Sequence, residues 1–362
     1  MRQVAAAWTV VCFAVLCGGC ATNPWSRGQS NLLIDATDAQ RLGYASGWAS
    51  SINLRGKQQI RSAAVLDDLI VFVEGPDPFV TALSARDGSL KWRRLIDDPA
   101  IVLYGPYRVG NEVFVNSETQ FFKIDAEKGK LLEIQRLDHP VRDRGAVAGD
   151  LVIFGAANGR VFAHQIAAGY AKWKYALTSQ IRVSPVMTTV DCFAADSSGV
   201  YAMIEASSGT LSFRGRTLGA VNGQPTVNRF SVLLPCDDGS LYALDRSTGR
   251  DQWIYRARQP LRTEPVAIDA QVFLLVDAGT IAIDAQNGKQ LWVRPDRAKP
   301  LLRRDDRLLL SLGNGLALAE LDTGDTIDQA ATAPLRSVLT NTDQSAIFLV
   351  STRGDVQQLT AR

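Results

Sequence analysis

Apolar and polar positions alternate along this chain in short bursts, each closed by a turn. The clearest copy is LYALDRSTGRDQW (241–253), an alternating strand, a turn ending at Gly249, and a second strand carrying Trp253 four residues on. TIAIDAQNGKQLW (280–292) repeats it, while FVTALSARDGSLKW (79–92) and VFAHQIAAGYAKW (161–173) keep the Gly and the Trp. Degenerate copies lie at 121–133, 200–213 and 316–328. The turn glycines Gly88, Gly129, Gly169, Gly209, Gly249, Gly288 and Gly324 are spaced by 41, 40, 40, 40, 39 and 36 residues. Upstream of each turn lies a near-continuous apolar run, such as LIVFVEG (69–75), LVIFGAA (151–157) or VFLLVDA (272–278). Such runs are central strands buried on both faces. Several short strands per unit, at a period near forty, predict propeller blades.

The residue types of the repeat have physical reasons. Gly supplies the positive φ of the turn. An acid four residues before it (Asp125, Glu205, Asp245, Asp284) accepts N–H bonds within the turn. The aromatic on the outer strand (Trp92, Trp173, Trp253, Trp292, with Phe213 substituting) buries a large ring between blades. The chain ends predict how the ring closes. AIFLV (346–350) and DVQQL (355–359) repeat the second and third strands, and then the chain stops. Conversely, GYASGWA (43–49) precedes any inner strand and reads as an orphan outer strand bearing Trp48. The two complete one another, and residues 43–362 make eight units of forty. The expected fold is all-β, an eight-bladed β-propeller of four-stranded antiparallel blades, closed by an N-terminal strand that completes the last blade. Closure protects sheet edges that isolated blades would expose.

Residues 1–19 read as a lipoprotein-type signal peptide. Arg2 gives a short positive n-region and VAAAWTVVCFAVLC (4–17) the apolar h-region. Gly18-Gly19-Cys20 then resembles a lipobox, departing from it at Cys17, and Cys20 is the expected site of lipid attachment. Residues 20–42 read as the lipidated N-terminus and a polar tether. Ala21, not Asp, follows Cys20, which in proteobacterial lipoproteins implies the periplasmic face of the outer membrane. Within the propeller only Cys192 and Cys236 remain, about three residues apart in register on neighbouring blades. At ~3.3 Å per residue that offset disfavours a disulfide, and both read as small buried hydrophobes. With 46% hydrophobic residues the chain is neither disordered nor, with one long apolar run, polytopic. A net charge of +2 argues against a nucleic-acid partner.

The A-x-D-x-x-x-G-x-x-x-W pattern resembles the quinoprotein-type (PQQ-like) propeller repeat. Together with the size, the blade count and the lipobox, it is similar to the BamB lipoproteins of the outer-membrane β-barrel assembly machinery. That resemblance implies a non-catalytic envelope scaffold, with a protein partner in the barrel-assembly machinery and a lipid anchor in the membrane. It covers nearly all of the expected mature chain, specifies fold, and says less about function. A PQQ-dependent dehydrogenase is the enzyme alternative. Many such enzymes carry adjacent cysteines over the cofactor and a calcium site of acidic and amide side chains. No Cys-Cys pair occurs here, and Asp237-Asp238 and Asp305-Asp306 read as solvated turns. No catalytic residue, metal or cofactor is expected, and His139 and His164 read as structural.

Counting in steps of forty from Arg61 reaches Val102, Arg142, Arg182, Asn222, Arg262 and Leu302, and a short last step reaches Arg336. Five of these eight positions are arginine, and Leu302 is followed by Arg303 and Arg304. Each position stands where an innermost strand begins, so the arginines form a partial ring at one mouth of the channel. Such a ring focuses positive potential and suits a carboxylate, a phosphate or an acidic partner. It also suits an ion-pair girdle, because loops on the same face carry Glu74, Asp77, Glu118, Asp196, Asp237, Asp238, Asp277 and Asp355. Both readings stand open, as does an anionic small molecule or polysaccharide as ligand. Arg297, Lys299, Arg303, Arg304 and Arg307 form the densest basic run, expected as a solvated loop paired with Asp296, Asp305 and Asp306.

Overall fold

The computed structural model describes residues 32–96 and 101–362. Cys20, the signal segment and the start of the tether lie outside the described residues. Thirty-two strands form eight four-stranded antiparallel sheets, so the propeller has the expected blade number. Blade 1 runs through Gln59–Leu66, Leu69–Gly75, Phe79–Ser84 and Leu90–Leu95 in that spatial order. Blades 2 to 7 repeat this order. The first strands of most neighbouring blades touch around the axis and are therefore the inner strands. In blade 8 the chain contributes Leu335–Thr340, Ala346–Ser351 and Asp355–Ala361, and the outer strand is Tyr44–Ser51 from the other end. Its register runs from Tyr44 opposite Ala361 to Ser51 opposite Asp355, with a bulge between Ser46 and Ala49.

Each of the eight interfaces between neighbouring blades has its own apolar cluster. Where the ring closes, Ile70 and Phe72 of blade 1 meet Phe348 and Val350 of blade 8. Residues 33–42, read from sequence as tether, pack against blades 7 and 8. Leu33, Ile34, Ala39 and Leu42 are buried there. The side chain of Gln357 holds the Leu33 and Ile34 backbone by three hydrogen bonds, two accepted and one donated. A short helix, Ala36–Arg41, capped by Asp35, places Arg41 against Asp328.

Where it occurs, the recurring Trp binds its blade to the next. The indole Nε1 of Trp92, Trp173 and Trp253 donates to the carbonyls of Ala126, Ala206 and Ala285 at 2.8, 2.8 and 3.0 Å. Trp292 does the same to Leu321 at 2.9 Å. The turn glycine of the following blade faces the indole ring. A Cβ on Gly288 (φ +73°) would sit 2.7 Å from Trp253, so no other residue fits both the turn and the neighbour. Trp48 of the N-terminal strand donates to Ala85 at 3.2 Å and lies over Gly88, which gives blade 8 the same bond to blade 1. In blade 2 Glu133 holds the Trp position, and Gln135 two residues on supplies the bond: its amide donates to Ile166 at 2.8 Å and meets buried His164 at 2.7 Å. His164 is thus structural, and His139 meets Asn158 and packs edge-on against Phe162.

The turn acids act as expected. Asp245 accepts N–H bonds from Ser247 and Thr248, Asp125 from Glu127 and Lys128, and Asp284 from Gln286 and Asn287. Glu205, one methylene longer, takes the hydroxyls of Ser207 and Ser208 instead. The Ser247 hydroxyl holds Asp245 well below the usual carboxylate range, and the Ser89 hydroxyl lowers Asp87 in the first blade's turn to about 2. Glu205 is lowered by Ser208. Depressed folded values mean that this stabilisation is complete above the unfolded pKa of about 4 and vanishes as pH falls through the folded values. The melting temperature is therefore expected to stay level from about pH 7 to 5 and to fall between about pH 4 and 2. A fall that begins near pH 6 would assign acid sensitivity to other groups.

Candidate functional site

Arg61, Arg142, Arg182 and Arg262 each directly follow a buried anchor, Ile60, Val141, Ile181 and Leu261, at the entry to an inner strand. Arg336 follows half-buried Leu335. The anchor fixes the backbone, and alternation turns the next side chain outward, so all five guanidinium groups are exposed on one face. In blade 8, Arg336 donates to the carbonyls of Ile60 and Arg61 in blade 1 at 3.0 and 3.2 Å. Arg262 pairs with Asp237 at 3.0 Å, and Asn222 donates to the other oxygen of that carboxylate at 2.6 Å. Arg142 reaches Glu118 only at 3.9 Å. The side-chain amide of Gln180, oriented to satisfy its neighbours, accepts from Arg182 at 2.7 Å. Among the described residues no carboxylate lies within 4.0 Å of Arg61, Arg182 or Arg336.

Several acids counted as partners of this ring are committed elsewhere. Glu74 is fully buried and takes Thr81 and Arg93. Asp196 accepts the N–H groups of Thr178, Ser179, Ser198 and Val200. Asp238 takes the Tyr242 hydroxyl and the Ser240 N–H. Asp237 is not a free solvated turn but the partner of Arg262. Exposed pairs such as Arg142 with Glu118 contribute little to stability, and Asp196 and Asp238, bonded only by neutral donors, keep their charge.

Blade 7 corrects the sequence reading. Leu302 is buried, and Arg303 and Arg304 lie at the far end of the strand Lys299–Arg304. There Arg303 pairs with Asp269, and Arg304 lies over the Tyr44 ring. By ladder register the position of Arg61 and Arg336 falls on half-buried Leu301, and exposed Lys299 matches Gln59 at the start of the strand. The basic run is thus split between both ends of a strand. Its expected partner Asp296 pairs with Arg294, while Arg297 reaches Asp277 at 3.9 Å.

The channel below the mouth is asymmetric. Inner strands of blades 3 to 6 are short, Ala146–Ala148, Val186–Met187, Thr226–Val227 and Val266–Ile268, whereas that of blade 1 runs Gln59–Leu66. Gly145, Pro185, Pro225 and Pro265 immediately precede the short ones. Proline has no N–H for the ladder, and a Cβ on Gly145 would lie 2.3 Å from Val152. The late start leaves a recess of about 340 Å³ in this half of the channel. Arg144, Ser184, Gln224 and Glu264 line it, again at steps of forty. The same count, begun two residues after Arg142, finds them in the sequence.

Cys192 and Cys236 are free and buried. Burial raises both thiols, that of Cys236 to about 12, which removes the reactive thiolate at neutral pH. A thiol-directed reagent at pH 8 is expected to modify neither in the folded protein and both after denaturation, read by peptide mass. Among the described residues no three His, Cys, Asp or Glu side chains converge as metal ligands. No two cysteines are adjacent in the chain.

Comparisons with known proteins agree with this architecture. A curated relative, the polyvinylalcohol dehydrogenase of Sphingopyxis sp. (strain 113P3), is 30% identical over 122 residues, 29% of this chain. The match spans 19% of that enzyme's length. Among solved structures, BamB from Moraxella catarrhalis superposes with a TM-score of 0.68 at 16% identity, over 88% of this chain and 99% of that one. The computationally designed Ika8 protein gives 0.67 at 13% identity, over 84% and 97%, respectively. The C-terminal WD40 domain of Sif2 gives 0.62 at 11%, over 87% and 99%. These three share the fold. A family model described as outer membrane protein assembly factor BamB matches residues 34–255 and 183–362, and the chain belongs to that family.

Proposed function

We propose that this protein is a non-catalytic, lipid-anchored scaffold of the bacterial envelope that helps assemble outer-membrane β-barrel proteins. Cys20 carries the lipid, and the arginine mouth docks an acidic surface of the assembly machinery. The observation that carries the reading is the family match along the propeller, joined to a mouth where Arg61, Arg182 and Arg336 have no carboxylate partner among the described residues. The outer strands add a second contact mode. Leu132 and Ile134 in blade 2, and Leu291 and Val293 in blade 6, are exposed on strands with one unpaired edge. Such edges accept an added strand.

The short match to a dehydrogenase is what a shared repeat produces, since it covers under a third of this chain. Chemical crosslinking in the native envelope, followed by mild detergent extraction and co-purification, tests the role. The reading expects components of the barrel-assembly machinery in the purified complex. Dye reduction by the protein supplied with PQQ and calcium would instead support the enzyme.

A further inference from the structure

The recess in the channel carries two opposite charges that do not neutralise one another. Arg144 lines it from blade 3 and Glu264 from blade 6, and neither has an ion-pair partner among the described residues. Asp143, next in the chain to Arg144, spends its carboxylate on the Arg144 backbone N–H at 2.7 Å. Glu264 has one polar neighbour, the Thr226 hydroxyl at 3.5 Å, which bonds the Pro265 carbonyl at 2.9 Å. Between them Ser184 is only 4% exposed, yet its hydroxyl has no partner. Gln224 holds that residue's backbone in a two-bond clamp, 2.9 Å from N–H to Oε1 and 3.0 Å from Nε2 to carbonyl. The clamp fixes the Ser184 backbone while its hydroxyl stays unsatisfied, which is costly unless a ligand or water meets it. Pro185 and Met187 add apolar wall.

We infer that this recess binds a zwitterion of dipeptide size. A simple anion satisfies Arg144 and leaves Glu264 facing it. A simple cation does the reverse. A molecule with a carboxylate at one end and an ammonium at the other satisfies both, and a peptide amide between them meets the Ser184 hydroxyl. The volume of about 340 Å³ is at the small end for ligand sites and suits such a molecule. This inference does not rest on the scaffold role, because the residues lie below the mouth.

The test is calorimetric titration of the full propeller with alanyl-leucine, with its N-acetyl form and with its C-terminal amide. Saturable binding of the free dipeptide is expected, weakened at least about tenfold by either cap. Arg144→Gln should abolish discrimination against the amide and Glu264→Gln discrimination against the acetyl form, each at unchanged melting temperature. Ser184→Ala should weaken all three ligands alike. No saturable binding up to about 10 mM, or equal affinity for either capped form, would overturn the inference.

Discussion

A chain that starts at residue 52 is expected not to form the closed ring. It loses Tyr44–Ser51, and with it the whole ladder to Asp355–Ala361. It loses Trp48, whose indole donates to Ala85 and lies over Gly88, the bond between blades 8 and 1. Buried Leu33, Ile34, Ala39, Leu42 and Tyr44 go as well, and their cluster in blades 7 and 8 opens to water. The exposed strand edge then favours association. The truncated protein should show no cooperative melt and should elute as aggregates. By comparison, Trp253→Ala removes one nearly buried indole from a ring that stays closed. It should cost about 3–5 kcal/mol and keep a single transition. A truncated chain that melts as a monomer at the full-length temperature would contradict closure by the N-terminal strand.

Arg182→Glu combined with Arg262→Glu is expected to abolish partner binding, at least about a hundredfold in affinity, with folding unchanged. Both side chains are exposed beyond buried anchors, so reversal disturbs no packing. Arg182 has no carboxylate partner among the described residues, and losing the exposed Arg262–Asp237 pair costs little stability. Reversal instead adds a like charge beside Asp237 at position 262 and removes two positive charges that an acidic partner would meet on approach. Wild-type binding should also weaken with rising salt. Unchanged affinity in the double variant would leave the arginines as structure alone.

The blade count, the turn glycines and the orphan Trp48 strand are readable because they obey a local repeat of about forty residues, and the same count places four ring arginines. It fails in blade 7, where the last spacing shortens to 36 residues and Leu302 falls inside the strand. Leu301 takes the position of Arg61 and Arg336 there. The indole bonds to the next blade and the contacts of Gly88, Gly129, Gly209, Gly288 and Gly324 with the preceding Trp depend on inter-blade geometry, which the repeat implies but does not display. The packing of residues 33–42 rests on Gln357, more than three hundred residues away, a distance at which local pattern is silent. The recess depends on Gly145, Pro185, Pro225 and Pro265, which shorten four inner strands and become meaningful as a set only once the strands are aligned.

On the proposed reading, the arginine-bearing face is expected to meet the assembly machinery. A photocrosslinking residue at position 182, compared with one at exposed Asn287 in a Gly-turn on the opposite face, tests it in intact cells. An adduct with the machinery's periplasmic part is expected from position 182 and none from position 287. Adducts from 287 alone, or from neither site in cells where the complex co-purifies, would contradict it.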